Sequence, residues 1–219
     1  MDETTWPLFG LRLQTPRLEL RLPTDDDLVG VVAAVHAGVV GDEPFPFTTG
    51  WVLEPEPQRT RSIVQFHWAC RSRFTADTFN LPFAVVLDGT IIGTQGIGGT
   101  DFAARRTVDT GSWIAKPWQG QGFAEEMRAA VLSLGFDHLG ATVATSGARV
   151  TTDRSIKVSA GLGYRENGRS PFRFGDEVGE MLAFRLDVAD WRALDDRPAV
   201  TVEGWDAVAP MFEPGSADS

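Results

Sequence analysis

Gln119-Gly120-Gln121-Gly122-Phe123-Ala124 is a nearly side-chain-free turn, set between Trp113-Ile114-Ala115-Lys116-Pro117-Trp118 and a long amphipathic run. Such a turn, passing from a strand into a helix, leaves the first helical N–H groups without intrahelical acceptors, and the helix dipole adds partial positive charge at the same place. A phosphate or pyrophosphate suits that environment, and two glycines let the backbone approach one closely. The same pattern also serves as a compact connection with no ligand at all. Two better-known phosphate loops are excluded. No Lys-Ser/Thr pair follows the glycines, as a P-loop requires. The third glycine of the dinucleotide fingerprint is absent too, and no acidic residue lies about 20 positions on at the end of a second strand. Nucleotide hydrolysis and hydride transfer both lose ground.

Working outward, Leu18-Glu19-Leu20-Arg21-Leu22 alternates as a half-buried strand. Thr24 and Asp27 then have the spacing of a capping box, which predicts a helix running to Ala37. Gly38 and Gly41 mark its exit, and Pro44, Pro46, Pro55 and Pro57 make a loop suited to a substrate lip. A second helix is expected over 58–74, with Ile63, Phe66, Cys70 and Phe74 on one face. Residues 81–87 and 90–97 flank Asp88-Gly89 as a β-hairpin, and 107–115 is another strand. Past the Gly-rich turn, a helix over 123–138 carries Phe123, Met127, Ala130, Val131 and Leu134 inward. A strand at 141–146, a short helix at 154–161, a strand opening at Tyr164 and a strand at 178–186 complete the pattern. The expected class is α+β, an α/β sandwich with one mixed, mostly antiparallel twisted sheet of about seven strands flanked by helices. Residues 188–219 read as an appendage with a small helix around Trp191, one strand near Val200 and an acidic, mobile end.

The chain has 219 residues, 42% of them hydrophobic, enough to bury a sizeable core in one domain. No apolar run reaches the ~18 residues of a membrane span, and the start shows no basic-then-apolar signal peptide. Cys70 is alone and His36, His67 and His138 are scattered, so no metal centre or disulfide framework is expected. These features point to the cytoplasm. A net charge of −10 argues against nucleic acid as a partner and favours a cationic amine.

Taken together, these residues resemble the GCN5-related N-acetyltransferase (GNAT) family over roughly 11–187. The family signature Gln/Arg-x-x-Gly-x-Gly/Ala is matched by Gln119, Gly122 and Ala124. Its Asn-x-x-Ser-x-x-Val segment is matched by Thr152-Asp153-Arg154-Ser155-Ile156-Lys157-Val158 ahead of Leu162-Gly163-Tyr164, with Thr152 standing where the family commonly has asparagine. Thr15-Pro16-Arg17-Leu18-Glu19-Leu20-Arg21 looks like the branch that acetylates ribosomal-protein N-termini. Trp6-Pro7-Leu8-Phe9, Asp109-Thr110-Gly111-Ser112-Trp113 and Glu126-Met127-Arg128-Ala129-Ala130-Val131-Leu132 look like an actinobacterial subgroup with succinyl-CoA-dependent members.

The resemblance implies acyl transfer from acetyl-CoA or succinyl-CoA to an amine acceptor, either a small molecule or a protein, by direct attack. Coenzyme A would lie on Trp113, Ile114 and Ala115, on Gln119, Gly120, Gln121, Gly122, Phe123 and Ala124, and on Thr152 and Ser155. Lys157 and Arg154 are candidates for its 3′-phosphate. Asp109 occupies the position of the family's acidic base, although an Asp near its ordinary pKa of about 3.9 is feeble and needs burial or a water relay. Ser155 matches the hydroxyl used in the ribosomal branch as proton donor, while Ser159 stands where many relatives have tyrosine. A succinyl group would need a cation from Arg59, Arg61, Arg71, Arg73, Arg105 or Arg106. A homodimer stays open. The competing expectation is a non-catalytic acyl-CoA-binding or sensing module, and a nucleotide-phosphate enzyme is a third.

Overall fold

The computed structural model describes residues 3–40 and 49–213. In chain order the elements are β1 (Arg12–Gln14), β2 (Glu19–Arg21), α1 (Asp25–His36), α2 (Gln58–Ser72), β3 (Phe79–Leu87), β4 (Thr90–Gly99), α3 (Phe102–Arg105), β5 (Thr107–Ile114), α4 (Phe123–Ser133), β6 (Val143–Arg149), α5 (Asp153–Gly161), β7 (Arg165–Phe174), β8 (Glu177–Asp187), α6 (Val188–Arg192), β9 (Thr201–Glu203) and α7 (Trp205–Val208). The strands form one sheet in the order β7-β8-β6-β5-β4-β3-β2-β1-β9. Among the described residues β5–β6 is the parallel pair and the remaining pairings are antiparallel.

The α+β, mixed-sheet expectation holds, with nine strands in place of about seven. One added strand, β9, is the strand expected near Val200, now joined to the sheet; the other, β1, is three residues long, too short to show a period of two. They pair with each other at one edge. Trp191 and Val208 of the C-terminal segment are buried in the main core, and the last six residues of the acidic end, 214–219, lie outside the described residues. Gly204, with a φ of 76°, brings the chain against Gly10.

Helices cover both faces. On one, α4 presents Phe123, Met127, Ala130 and Val131 to β1–β6, with Phe83, Ile92, Ile97 and Val108 opposite. Its last stretch, Leu134–His138, widens into a π turn. On the other face, Leu28, Val31 and Val35 of α1 and Ile63 of α2 pack on Ala84, Val86 and Ile91. The capping box at the start of α1 is complete: the Thr24 hydroxyl accepts from the Asp27 N–H and the Asp27 carboxylate accepts from the Thr24 N–H. Gly38 leaves α1 with a φ of 94°. Gly41, Pro44 and Pro46 lie outside the described residues.

The expected inward face of α2 needs correction. Ile63 and His67 are its buried residues, Phe66 is 48% exposed and Cys70 is half-buried, its thiol pKa pushed up to about 11 by burial. Much of this helix lies over a cavity, so the positions facing the sheet are not all packed.

Candidate active site

The site begins where two strands part. β5 and β6 pair only through Thr107–Val143, Val108–Ala144 and Asp109–Thr145, although β5 continues to Ile114 and β6 to Arg149. Hydroxyl groups stitch the point of divergence. Ser146 Oγ donates to the Thr110 carbonyl at 3.2 Å, Thr110 Oγ1 donates to the Thr145 carbonyl at 3.2 Å, and Thr110 Oγ1 also meets the Tyr164 hydroxyl at 3.2 Å. The Ala115 N–H is taken by the Ile92 carbonyl on the β4 side. Because N–H direction alternates along a strand, the N–H groups of Ser112 and Ile114 face the gap instead.

The Gly-rich turn closes the upper end of this gap. Gly120 and Gly122 have φ values of 77° and 81°, which a side chain would strain. Gly122 occupies the N-cap position of α4, and it offers no side-chain cap to the helix's first N–H groups. The turn is clamped from behind by Arg17. Its Nε donates to Glu126 at 2.7 Å, its Nη1 donates to the Gln121 carbonyl at 3.0 Å, and its guanidinium lies 4.5 Å from the centre of the Phe123 ring. Glu126 is nearly buried and also accepts from the Arg17 N–H and the Thr15 hydroxyl.

On the α1/α2 face of the sheet a cavity of ≈ 690 Å³ meets the gap. Its floor follows the pairing register: Asn80 opposes Gly98, Gly98 opposes Asp109, and Asp109 opposes Thr145, while Pro82, Gly96 and Gly111 form the next row. Three floor positions thus lack a side chain. Ile63, Phe66 and His67 of α2 form the roof, and Trp51 and Trp113, 6.1 Å apart, close one wall.

A family model described as "Acetyltransferase (GNAT) domain" matches residues 17–165. The chain belongs to the GNAT acetyltransferases. It is therefore an acyl-CoA-dependent N-acyltransferase. Solved structures share the fold. Mycobacterium smegmatis RimJ in complex with CoA-disulfide aligns with a TM-score of 0.67 at 20% identity, covering 94% of this chain and 95% of that one. A ribosomal-protein-S5-alanine acetyltransferase from Vibrio fischeri gives 0.61 at 16%, covering 82% and 98%. RimL, a ribosomal L7/L12 α-N-protein acetyltransferase, gives 0.63 at 14%, covering 79% and 91%. At these identities what is shared is the fold.

Within this GNAT domain the expected site residues divide into groups. Asp109, Trp113, Ile114 and Ala115 lie along the parted strand, and Gln119 to Ala124 form the turn above it. Gln119 also laces neighbouring segments together. Its amide donates to the Ile114 and Val39 carbonyls at 2.7 and 3.1 Å and accepts from Arg154 at 3.1 Å. Thr152 caps α5 in position only; its hydroxyl is buried with no hydrogen bond, whereas a cap would use it. Ser155 is half-buried in the first turn of α5, and among the described residues no hydrogen bond uses its hydroxyl. Ser159 is buried and accepts from Arg128 at 2.8 Å while donating to the Ser155 carbonyl, so it is occupied beneath the surface. Tyr164 is buried under the fork and its pKa is pushed up by that burial.

Asp109 is open to water, but only through the concave wall of the cleft, and the crowding of protein atoms there raises its carboxyl pKa. The Thr145 hydroxyl, donating at 3.1 Å, and the charge of Arg128 pull the other way. Arg128 itself is buried on α4, and its pKa is lowered by burial against the influence of Tyr164 and Asp109. Of the arginines considered for a succinyl group, Arg105 lines the cavity. Arg59 and Arg71 are paired with Glu56 and Asp25, and Arg106 lies over the Phe102 ring.

Three parts of the site escaped the sequence reading. The alternation Gly96-Ile97-Gly98 was its one legible trace of the floor, since period two puts both missing side chains on one face. The Arg17–Glu126 clamp joins residues 109 positions apart and has no local signature. His67, one of the scattered histidines, is 3% exposed and lines the cavity.

Proposed function

We propose that the chain moves an acetyl or succinyl group from its CoA thioester to a primary amine by direct attack within a ternary complex. The parting of β5 from β6 beside Asp109 carries this reading, because it leaves free main-chain donors between an uncapped helix start and a cavity. The diphosphate would rest on the N–H groups of Gln121, Gly122, Phe123 and Ala124. The amide-bearing arm would pair with the open edge of 111–115 as an added strand does. Thr152 and Ser155 would border that arm.

The acyl-CoA supplies the activated carbonyl. Asp109 accepts a proton from the incoming ammonium, whose ordinary pKa is about 10.4, so that the free amine can attack the carbonyl carbon. The C–N bond forms and the C–S bond breaks; the surplus proton left on the nitrogen passes to the departing thiolate, to which Ser155 would offer a hydrogen bond. The Ile114 N–H would stabilise the charge on the carbonyl oxygen, a contribution typically worth about 2.7–4 kcal/mol. Holding both partners in one cleft contributes up to about 7–11 kcal/mol.

Thiol release from acetyl-CoA and succinyl-CoA across an amine panel tests this, alongside the CoA-induced melting shift. Release with a melting shift is expected. A melting shift with no release on any amine would favour the sensing module instead. The succinyl alternative expects kcat/KM to favour succinyl-CoA and Arg105→Ala to remove that preference by about tenfold or more; equal values for both donors leave acetyl.

A further inference from the structure

The cavity beside Asp109 has a polarity that narrows the acceptor, given the acyl-transfer reading of that cavity. Its roof and walls are Val31, Ile63, Phe66, Trp51, Phe79 and Trp113, and its floor is stripped by Gly96, Gly98 and Gly111. At ≈ 690 Å³ it has the size and apolar character of a small-molecule site. Phe66 lines the cavity and remains 48% exposed, its ring meeting that of His67 edge-on at 5.4 Å.

Of the polar α2 residues in that roof, Ser62 is already bonded to Glu54, which leaves His67. The residue as a whole is 3% exposed, yet its ring nitrogens are not among the sealed-off atoms without a partner, so the ring reaches the cavity that it lines. Burial and the charge of Arg71 hold its pKa down to about 4, so it is a neutral imidazole at neutral pH. A ligand group that bonds to an imidazole nitrogen facing a confined cavity gains a directed hydrogen bond there.

A polypeptide terminus would bring several peptide N–H and C=O groups against Val31, Ile63 and Phe66, which cannot pair with them. An aromatic ring has no such groups and fills the space over a glycine floor. We propose that the acceptor is an arylalkylamine with a hydroxyl or N–H on its ring: the ammonium meets Asp109, the ring lies between the glycine floor and Phe66, and the ring's polar group bonds to His67. His67 and Phe66 are then specificity-determining residues.

The test uses the full chain loaded with CoA and measures binding of tyramine, phenethylamine, n-butylamine and a peptide with a free N-terminal serine by calorimetry, with thiol release from acetyl-CoA in parallel. Tyramine is expected to bind about tenfold more tightly than phenethylamine, and phenethylamine more tightly than butylamine or the peptide. His67→Leu should erase the gap between tyramine and phenethylamine, and Phe66→Ala should weaken both about tenfold, with the CoA-induced melting shift retained as the check on folding. Equal binding of butylamine or the peptide, or insensitivity to both substitutions, overturns the inference. Tyramine binding without thiol release would leave this assignment standing and remove acyl transfer. Thiol release to the peptide or butylamine as fast as to tyramine would do the opposite.

Discussion

Folding raises the carboxyl pKa of Asp109 because protein atoms crowd it on the cleft side although it stays open to water, and Thr145 and Arg128 oppose the shift. The sign of the resulting stability effect follows. A raised pKa means that the folded chain prefers the protonated acid, so the penalty is absent below the unfolded value of about 3.9 and fully present above the folded one. At neutral pH the ionised Asp109 therefore destabilises the fold, as expected of a group placed for chemistry. Asp109→Asn should raise the melting temperature at pH 7, and the gain should fade on acidification through the carboxylate range. The same variant should lose roughly 10²-fold or more in kcat/KM if Asp109 is the base. Melting curves at several pH values together with thiol release check both halves. A variant less stable at pH 7 would contradict the desolvation argument.

Among the elements, the turn before α4 shows how much of the site could be read in advance. Its glycines, the strand before it and the helix after it are adjacent in sequence, and local patterns report adjacent residues well. What holds the turn in shape is not adjacent. Glu126 sits on α4 with its neighbours Met127 and Arg128 in a run that reads as a surface helix, yet it is nearly buried and receives Arg17 and Thr15 from the first strands. Arg128, two positions on, is buried as well. A charged residue inside a protein is legible only once its partner is known, and here the partner lies over a hundred residues away. The α2 face was misread for a related reason: helical periodicity marks which side faces the sheet, but not whether that side meets side chains or a hollow. Two outcomes follow for this element. Glu126→Ala leaves Arg17 and Thr15 without their shared acceptor and should cost about 1–3 kcal/mol in urea denaturation, with weakened CoA binding because Arg17 no longer braces Gln121. Gly122→Ala meets a φ of 81° and should cost about 1–2 kcal/mol, with CoA affinity falling further than stability alone explains. An isotherm unchanged in either variant would separate the clamp from CoA binding.

Across the whole molecule, the sheet separates the parts that hold the fold from the parts proposed to do chemistry. The Asp88-Gly89 turn between two apolar runs made the long central strands legible, whereas the β1–β9 edge rests on three-residue strands nearly two hundred residues apart, and no local signal predicts their meeting. The strand order places that edge beyond β4, β3, β2 and β1 from the parting of β5 and β6. A lesion there should lower stability without touching ligand binding, and Gly204 offers one. It turns with a φ of 76° beside β9, and an added Cβ would fall 2.4 Å from the Gly10 carbonyl oxygen, a backbone contact with no flexible side chain to yield. Gly204→Ala must therefore shift the β9 edge away from Leu11 and Leu13, which are completely buried. The expected cost is about 2–3 kcal/mol, which for a chain of this size lowers the melting temperature by roughly 4–12 °C. CoA affinity measured well below the new melting temperature should stay within twofold of the parent. A loss of CoA affinity in step with stability would mean that the edge and the parted strands move as one unit, and that the distance between them along the sheet does not insulate the site.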